Sequence, residues 1–318
     1  MRSLLSFITM ACILTACGWF EPRTEEPKDS MAEKLDLVRE KRDLYCDLSR
    51  ERVLSRGWAV AKCDGLLFTS LHAASCGYGD IEAFFDGDRP YRSPSHDCYP
   101  GYDNGADSTI SKDMLAGFAL YGVIKNDRDL LERFVGYCKG NETLAGAACK
   151  VGDAESDLDA QSKIFYPFTG LTVLEDYLGQ NRLTELTAEK SGFEKHLEVM
   201  GILTRGAVYG AIKKSEKDKL GERMNESPSN AVYNAAYNLY ADGNMEVAAD
   251  LLLDESRWPS DSLPTSANHC SDYVYQRDVN PGDWEPCPDK KKNEDGTPVE
   301  HDGTAFSFAA AIMLGEIK

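Results

Sequence analysis

The apolar positions of this chain recur at helical rather than strand spacing. Ser30 with Glu33 three residues later forms a capping box and predicts a helix running to about residue 52. Residues 64 to 75 carry a compact apolar run built on Leu66, Leu67, Phe68 and Leu71. Met114, Leu115, Phe118, Tyr121 and Ile124 follow at helical spacing. Ala116, Gly117 and Ala119 leave that helix almost no polar face, which predicts an interior position. A short turn at Asn126-Asp127 leads into an amphipathic partner carrying Leu130, Leu131, Phe134 and Val135. The same order of interior helix, tight turn and exterior helix recurs over 229–241, Asp242-Gly243 and 244–254. Further helices are predicted over 164–179 and 193–214. A last one, near 304–316, is apolar on most sides through Phe306, Phe308, Ala309, Ala310, Ile312 and Met313. With no alternating strand longer than four residues, the predicted class is mainly α.

The links within hairpins are two or three residues, whereas 76–110, 139–162 and 256–302 are long, irregular and rich in Gly, Pro, Asp and Asn. Loops of that length in a compact domain usually carry function. A ring of helical hairpins would place the tight turns at one end and the long links at the other. That arrangement resembles the (α/α) toroids of many carbohydrate-active enzymes, which implies a funnel floored by the N-termini of inner helices, with the long loops gathered on one face.

A narrower resemblance lies in residues 63–124. Cys63-Asp64-Gly65-Leu66-Leu67-Phe68, then Arg92-Ser93-Pro94, then Ser111-Lys112-Asp113-Met114 before an apolar helix are similar to motifs of a group of exported α-toroid proteins of uncharacterised function. That group more often has Arg at the position of Lys112. The lysine keeps the charge but loses the bidentate fork that suits carboxylates. The resemblance implies fold and location and names no activity.

The first seventeen residues bear on location. Arg2 is a one-charge n-region, and Leu4 to Leu14 is an apolar stretch of about eleven residues, too short to span a bilayer. It ends in Leu14-Thr15-Ala16-Cys17, which resembles a bacterial lipobox and implies cleavage before Cys17 and acylation of that residue. The alternative is a secretory leader whose cysteine is incidental. Gly18 rather than Asp after the cysteine resembles the outer-membrane default of Gram-negative lipoproteins. On this reading residues 1–16 are the signal peptide, 17–29 (rich in Glu, Pro and Lys) the lipidated tether, and 30–318 one α-helical domain. The expected location is the cell envelope, with the bilayer engaged through acyl chains. The chain is strongly acidic, with 53 Asp and Glu against 35 Lys and Arg for a net charge of -18. That balance excludes nucleic acid and anionic lipid headgroups as partners of its surface, because such binding draws on clustered cations.

Ten cysteines are present. Without Cys12 in the leader and Cys17 at the lipid, eight remain: Cys46, Cys63, Cys76, Cys98, Cys138, Cys149, Cys270 and Cys287. An even number in an exported chain predicts disulfides. Pairing of sequence neighbours is expected, as Cys46–Cys63, Cys76–Cys98, Cys138–Cys149 and Cys270–Cys287. No Cys-x-x-Cys spacing points to zinc or a redox motif, no His-x-x-x-His pair to a helical metal site, and no P-loop or Gly-x-Ser-x-Gly elbow to an NTPase or α/β hydrolase. Neither a metal nor a cofactor is expected.

Two constellations could carry chemistry. Asp113 stands in the first turn of an apolar helix, where the helix dipole stabilises a carboxylate. It is either a simple cap or an acid, base or hydroxyl acceptor at a funnel mouth. Asp107 and Asn104 just upstream form a turn or a weak oxygen-ligand calcium loop, without the twelve-residue EF-hand pattern. The long C-terminal loop holds His269, Tyr273, Tyr275, Arg277, Asp278, Asp283 and Trp284, then His301 and Asp302 directly before the last helix. Aromatic rings there suit sugar faces, and Arg and Asp suit hydroxyls or charged substituents; the bland alternative is a loop packing on itself. With Arg92, Asp107, Lys112, His269, Tyr273, Arg277, Asp278 and Trp284 as substrate contacts, Asp113 and Asp302 are the expected acid and base. Inverting glycosidases hold such a pair about 6.5–9.5 Å apart. His72, in an apolar helix, is expected to be a packed core residue. The expected function is an envelope-anchored polysaccharide hydrolase or lyase; the alternative is a non-catalytic glycan-binding or structural lipoprotein on the same scaffold.

Overall fold

In the computed structural model, the described residues are 30–56, 65–95, 112–140, 174, 177–179, 195–241, 243–265, 295–297 and 303–317. They are mainly helical. Helix α1 (Met31–Arg56) starts on the expected capping box: the Ser30 N–H donates to the Glu33 carboxylate at 2.6 Å, and the Glu33 N–H donates to Ser30 Oγ at 3.3 Å. It runs a turn beyond the predicted end. Val38, Arg42, Tyr45, Ser49 and Val53 recur every three or four residues as its buried stripe. Helix α2 (Gly65–Cys76) is buried from Gly65 to Ser75. The chain then forms a 3-10 turn (Glu82–Phe84) and a minimal antiparallel hairpin, β1 (Phe85–Asp86) and β2 (Arg89–Pro90), with Phe85 opposite Pro90.

Helices α3 (Lys112–Ile124) and α4 (Arg128–Gly140) form the predicted hairpin. Asn126 takes the left-handed conformation at φ 54°, and the Asp127 carboxylate caps α4 by accepting from the Leu130 N–H at 3.3 Å. Of the helix predicted over 164–179, Leu174, Tyr177 and Leu178 are described and helical. The helix predicted over 193–214 is α5 (Lys195–Tyr209), which ends five residues earlier, and α6 (Lys214–Glu226) follows where no helix was predicted. Gly210, at φ 70°, ends the first, which is the usual role of glycine past a helix C-terminus. α6 carries few apolar residues and buries Glu216 and Leu220, so no apolar stripe announced it. The second hairpin follows as α7 (Ala231–Ala241) and α8 (Met245–Leu253), and the last helix is α9 (Thr304–Met313).

Packing sorts these helices into two groups. α9 packs on α2, α2 on α3, α3 on α5, α5 on α7, and α7 back on α9, so the contacts close on themselves. The others lie against it: α1 on α9 and α2, α4 on α3, α6 on α7 and α5, and α8 on α7 and α9. Glycines admit the closest approaches. A Cβ on Gly117 would fall 2.5 Å from Leu67 of α2, and one on Gly206 would overlap the Tyr240 hydroxyl of α7.

The cysteine pairing departs from expectation. Cys46 is bonded to Cys76, 30 positions away, in place of the expected Cys46–Cys63 and Cys76–Cys98 bonds. Cys46 lies mid-way along α1 and Cys76 is the last residue of α2, so helix packing rather than chain proximity chose the partner. The bond joins two helices instead of stapling a loop. Cys63, Cys98, Cys149, Cys270 and Cys287 lie outside the described residues, and Cys138 falls within α4.

Candidate functional site

The expected site residues divide by where the described residues end. Lys112 and Asp113 are the first two residues of α3, as predicted. Asp107, His269, Tyr273, Arg277, Asp278, Trp284, Asp302 and the lipidation candidate Cys17 lie outside the described residues, and with Asp302 one half of the expected acid–base pair. Arg92 is described and is only 2% exposed. It lies on the stretch returning from the β hairpin, where its backbone carbonyl accepts from the Leu66 N–H at 3.4 Å in the first turn of α2. Arg92 thus borders a helix start, and its burial ties it to the packing there.

The starts of α7 and α9 are bound by a single stretch, residues 254–263. Arg257, 6% exposed, donates from Nη2 to the Ser229 carbonyl at 2.7 Å, one residue before Asn230. Asn230 in turn caps α7, its Oδ1 accepting from the Tyr233 N–H at 3.0 Å. The next residue, Trp258, packs its ring 5.6 Å from that of Phe306 in the first turn of α9. Tyr45 of α1 closes on Phe306 from another side at 4.7 Å and donates its hydroxyl to the Pro259 carbonyl at 2.8 Å. Gly303, directly before α9, has φ 70°, and a Cβ there would fall 2.8 Å from the Tyr45 ring.

Electrostatics in this region follow from burial. Desolvation lowers the Arg257 guanidinium to about 10, partly offset by Asp254, and it stays charged at neutral pH. Burial raises the Tyr45 phenol well above its usual value, helped by Glu255 and Asp261, so its hydroxyl is a permanent donor. Lys41 of α1 donates to Glu255 at 2.9 Å. Hydrogen bonds from Ser260, foremost, and from Lys41 hold the Glu255 carboxyl below its ordinary value. Glu198 is likewise lowered: Lys219 and Arg223 together outweigh the opposing effect of its burial. Each described carboxylate with a resolved shift is pushed toward the ionised form, which suits ion pairing rather than proton donation. His72 matches its expected role. It is fully buried, its ring is 5.9 Å from that of Tyr78, and desolvation lowers it to about 3.

Several of these residues carried no motif. Arg257-Trp258-Pro259 follows α8 as an ordinary helix exit, and Tyr45 reads as one more apolar position on α1. An arginine beside a tryptophan directly after an apolar helix was the available signal. Trp258, Tyr45 and Phe306 are at most 1% exposed, so they serve as core and not as a platform for a ligand. In comparisons with known proteins the chain matches no family model, and no curated protein and no solved structure is significantly similar to it.

Proposed function

We propose that the protein is an envelope lipoprotein, anchored through acylated Cys17, whose (α/α) toroid body acts on a polysaccharide with Asp113 and Asp302 as the acid–base pair. The observation that carries this reading is the closed packing order α9–α2–α3–α5–α7, with the remaining helices laid against it. Such an order is what a ring of hairpins requires. Two further features speak for it. Asp113 opens α3, and the chain enters α9 immediately after Asp302. The long links expected to gather at the mouth then supply Asp107, His269, Tyr273, Arg277, Asp278 and Trp284 as sugar contacts beside Lys112, whereas Arg92, 2% exposed, is left to the packing at the start of α2. In an inverting mechanism one carboxylic acid protonates the leaving oxygen while the other activates water; in a lyase one of them removes a proton.

The second reading is a glycan-binding or structural lipoprotein on the same scaffold, without turnover. The two readings part in one experiment. The soluble chain from residue 18 onward is assayed for reducing-end release from envelope and environmental polysaccharides, with Asp113→Asn and Asp302→Asn beside it. The enzyme reading expects release that falls at least about 100-fold in each variant. Release that survives both substitutions removes the catalytic assignment, and binding without release establishes the second reading. For the anchor, Cys17→Ser should abolish incorporation of radiolabelled palmitate in a bacterial host; labelling that persists would refute acylation at that residue.

A further inference from the structure

Helix α1 turns one stripe to the core and leaves a second apolar stripe outside it. Leu37 and Leu48 are 45% and 39% exposed, and Leu44 between them is half-buried. Spaced by seven and four positions, the three fall within about 40° of one another around the helix. Lys41, the remaining position of this row, turns inward to Glu255 and the Phe306 ring. α8 lies alongside: Lys34 of α1 pairs with Glu246 at 3.3 Å and with Asp250 at 2.6 Å, and Met245 and Val247, which flank Glu246, are exposed. Of the large apolar side chains left exposed among the described residues, all but Tyr209 sit on these two neighbouring helices. Carboxylates accompany the stripe. Glu40, Asp47 and Glu51 stand three positions after Leu37, Leu44 and Leu48, where side chains are neighbours on a helix surface. All three are exposed, and among the described residues none of them has an ion-pair partner, whereas Asp36 and Asp43 pair with Arg39 and Arg42. On the α8 side, Glu246, Asp250 and Glu255 are answered by Lys34 and Lys41 alone.

We infer that this face of α1 docks a cationic amphipathic helix of a partner protein. A helix that lays its own apolar row on Leu37, Leu44 and Leu48 brings lysine or arginine on its flank to Glu40, Asp47 and Glu51. Paired helices choose their partners in this way, with an apolar seam for affinity and flanking charges for identity. From Leu37 to Glu51 the seam is about 21 Å long, which matches a helix of about four turns. Charge decides against the other occupants. A second copy would set these carboxylates against its own, on a chain that carries a net charge of -18. Anionic lipid is repelled for the same reason, and a neutral bilayer offers the three carboxylates nothing to pair with. Asp113, Asp302 and Cys17 play no part in the inference.

The test is isothermal titration of the soluble chain from residue 18 with a synthetic peptide of three heptads, leucine at both seam positions and lysine at the flanking ones. Two control peptides replace either the leucines by serine or the lysines by glutamate. The protein variants are Leu37→Ser/Leu48→Ser and Glu40→Lys/Asp47→Lys, all at exposed positions, with Asp218→Lys/Glu222→Lys on exposed positions of α6 as the charge-matched control. We expect the leucine–lysine peptide to bind and neither control peptide to do so. Affinity should fall tenfold or more in both α1 variants and stay unchanged in the α6 variant. Thermal unfolding verifies that each variant is folded; should the leucine variant be unfolded, the charge-reversed α1 variant and the serine peptide decide together. Failure of the leucine–lysine peptide to bind overturns the inference, as does binding that the α1 variants leave intact or that the α6 variant weakens equally. Sedimentation of the chain alone and flotation with phosphatidylcholine vesicles address the other occupants. Self-association or vesicle binding that Leu37→Ser/Leu48→Ser abolishes overturns the inference in favour of a second copy or a lipid surface.

Discussion

At the residue scale, burial decides what a polar side chain can do. His72 has no route to solvent, and its imidazole stays neutral down to about pH 3. In the unfolded chain it takes up a proton near the ordinary value of 6.5. Between these two points the unfolded state binds the extra proton, so folding stability rises with pH across the window. The contribution is complete above 6.5 and is lost progressively as pH falls toward 3. The slope for one such group is about 1.4 kcal/mol per pH unit. His72→Leu should therefore flatten the fall in stability between pH 6.5 and 4, read as urea midpoints at a series of pH values. An unchanged slope would mean that other groups dominate acid unfolding. That a lone histidine on an apolar helix would be core was legible in the sequence, because each of its neighbours in α2 is apolar or small. The buried setting of Arg257 was not, since its side chain reaches the Ser229 carbonyl, 28 residues earlier, and that contact exists only in three dimensions.

At the element scale, pattern and packing agree wherever a helix has an apolar stripe. The capping box of α1, the α3–α4 and α7–α8 hairpins and the interior character of α9 all follow from local sequence. The misreadings have one cause. α6 buries little and so has no stripe, while the apolar residues of α5 carried the predicted helix past the Gly210 break. The disulfide was misassigned on the same ground, since spacing along the chain says nothing about which helices touch. The Cys46–Cys76 bond closes a loop of 30 residues between α1 and α2 and should stabilise the fold by about 3–4 kcal/mol through restriction of the unfolded chain. Cys46→Ala/Cys76→Ala should lose about that much in denaturant titration. Peptide mapping of the oxidised protein should recover Cys46 linked to Cys76, and recovery of Cys46 linked to Cys63 would contradict the packing of α1 against α2.

At the scale of the whole molecule, the last helix joins the beginning of the chain to its middle. α9 packs on α1, α2 and α7 together, and the residues after it return to the core: Ile317 is 1% exposed, and Glu316 pairs with Arg42 of α1. The helix contacts therefore close only once the final residues are in place, which makes the fold rich in long-range contacts. Ile317→Ala should cost about 2–4 kcal/mol, the range for truncating a buried aliphatic side chain, although it lies one residue from the end of the sequence. Denaturant unfolding measures it. A loss under about 1 kcal/mol would show that the tail contributes little to closure.

The sequence by itself determined the helical class, most helix boundaries and the hairpins, because these depend on contacts within a few residues, where periodicity and capping are written directly. It also placed Asp113 at the start of an interior helix. Tertiary structure alone decided which cysteines pair, that α6 is a separate helix, that five helices contact one another in a closed order, and that Leu37 and Leu48 of α1 are left outside the core. These are relations between distant segments. They are fixed by complementary surfaces whose shapes exist only once the helices have packed.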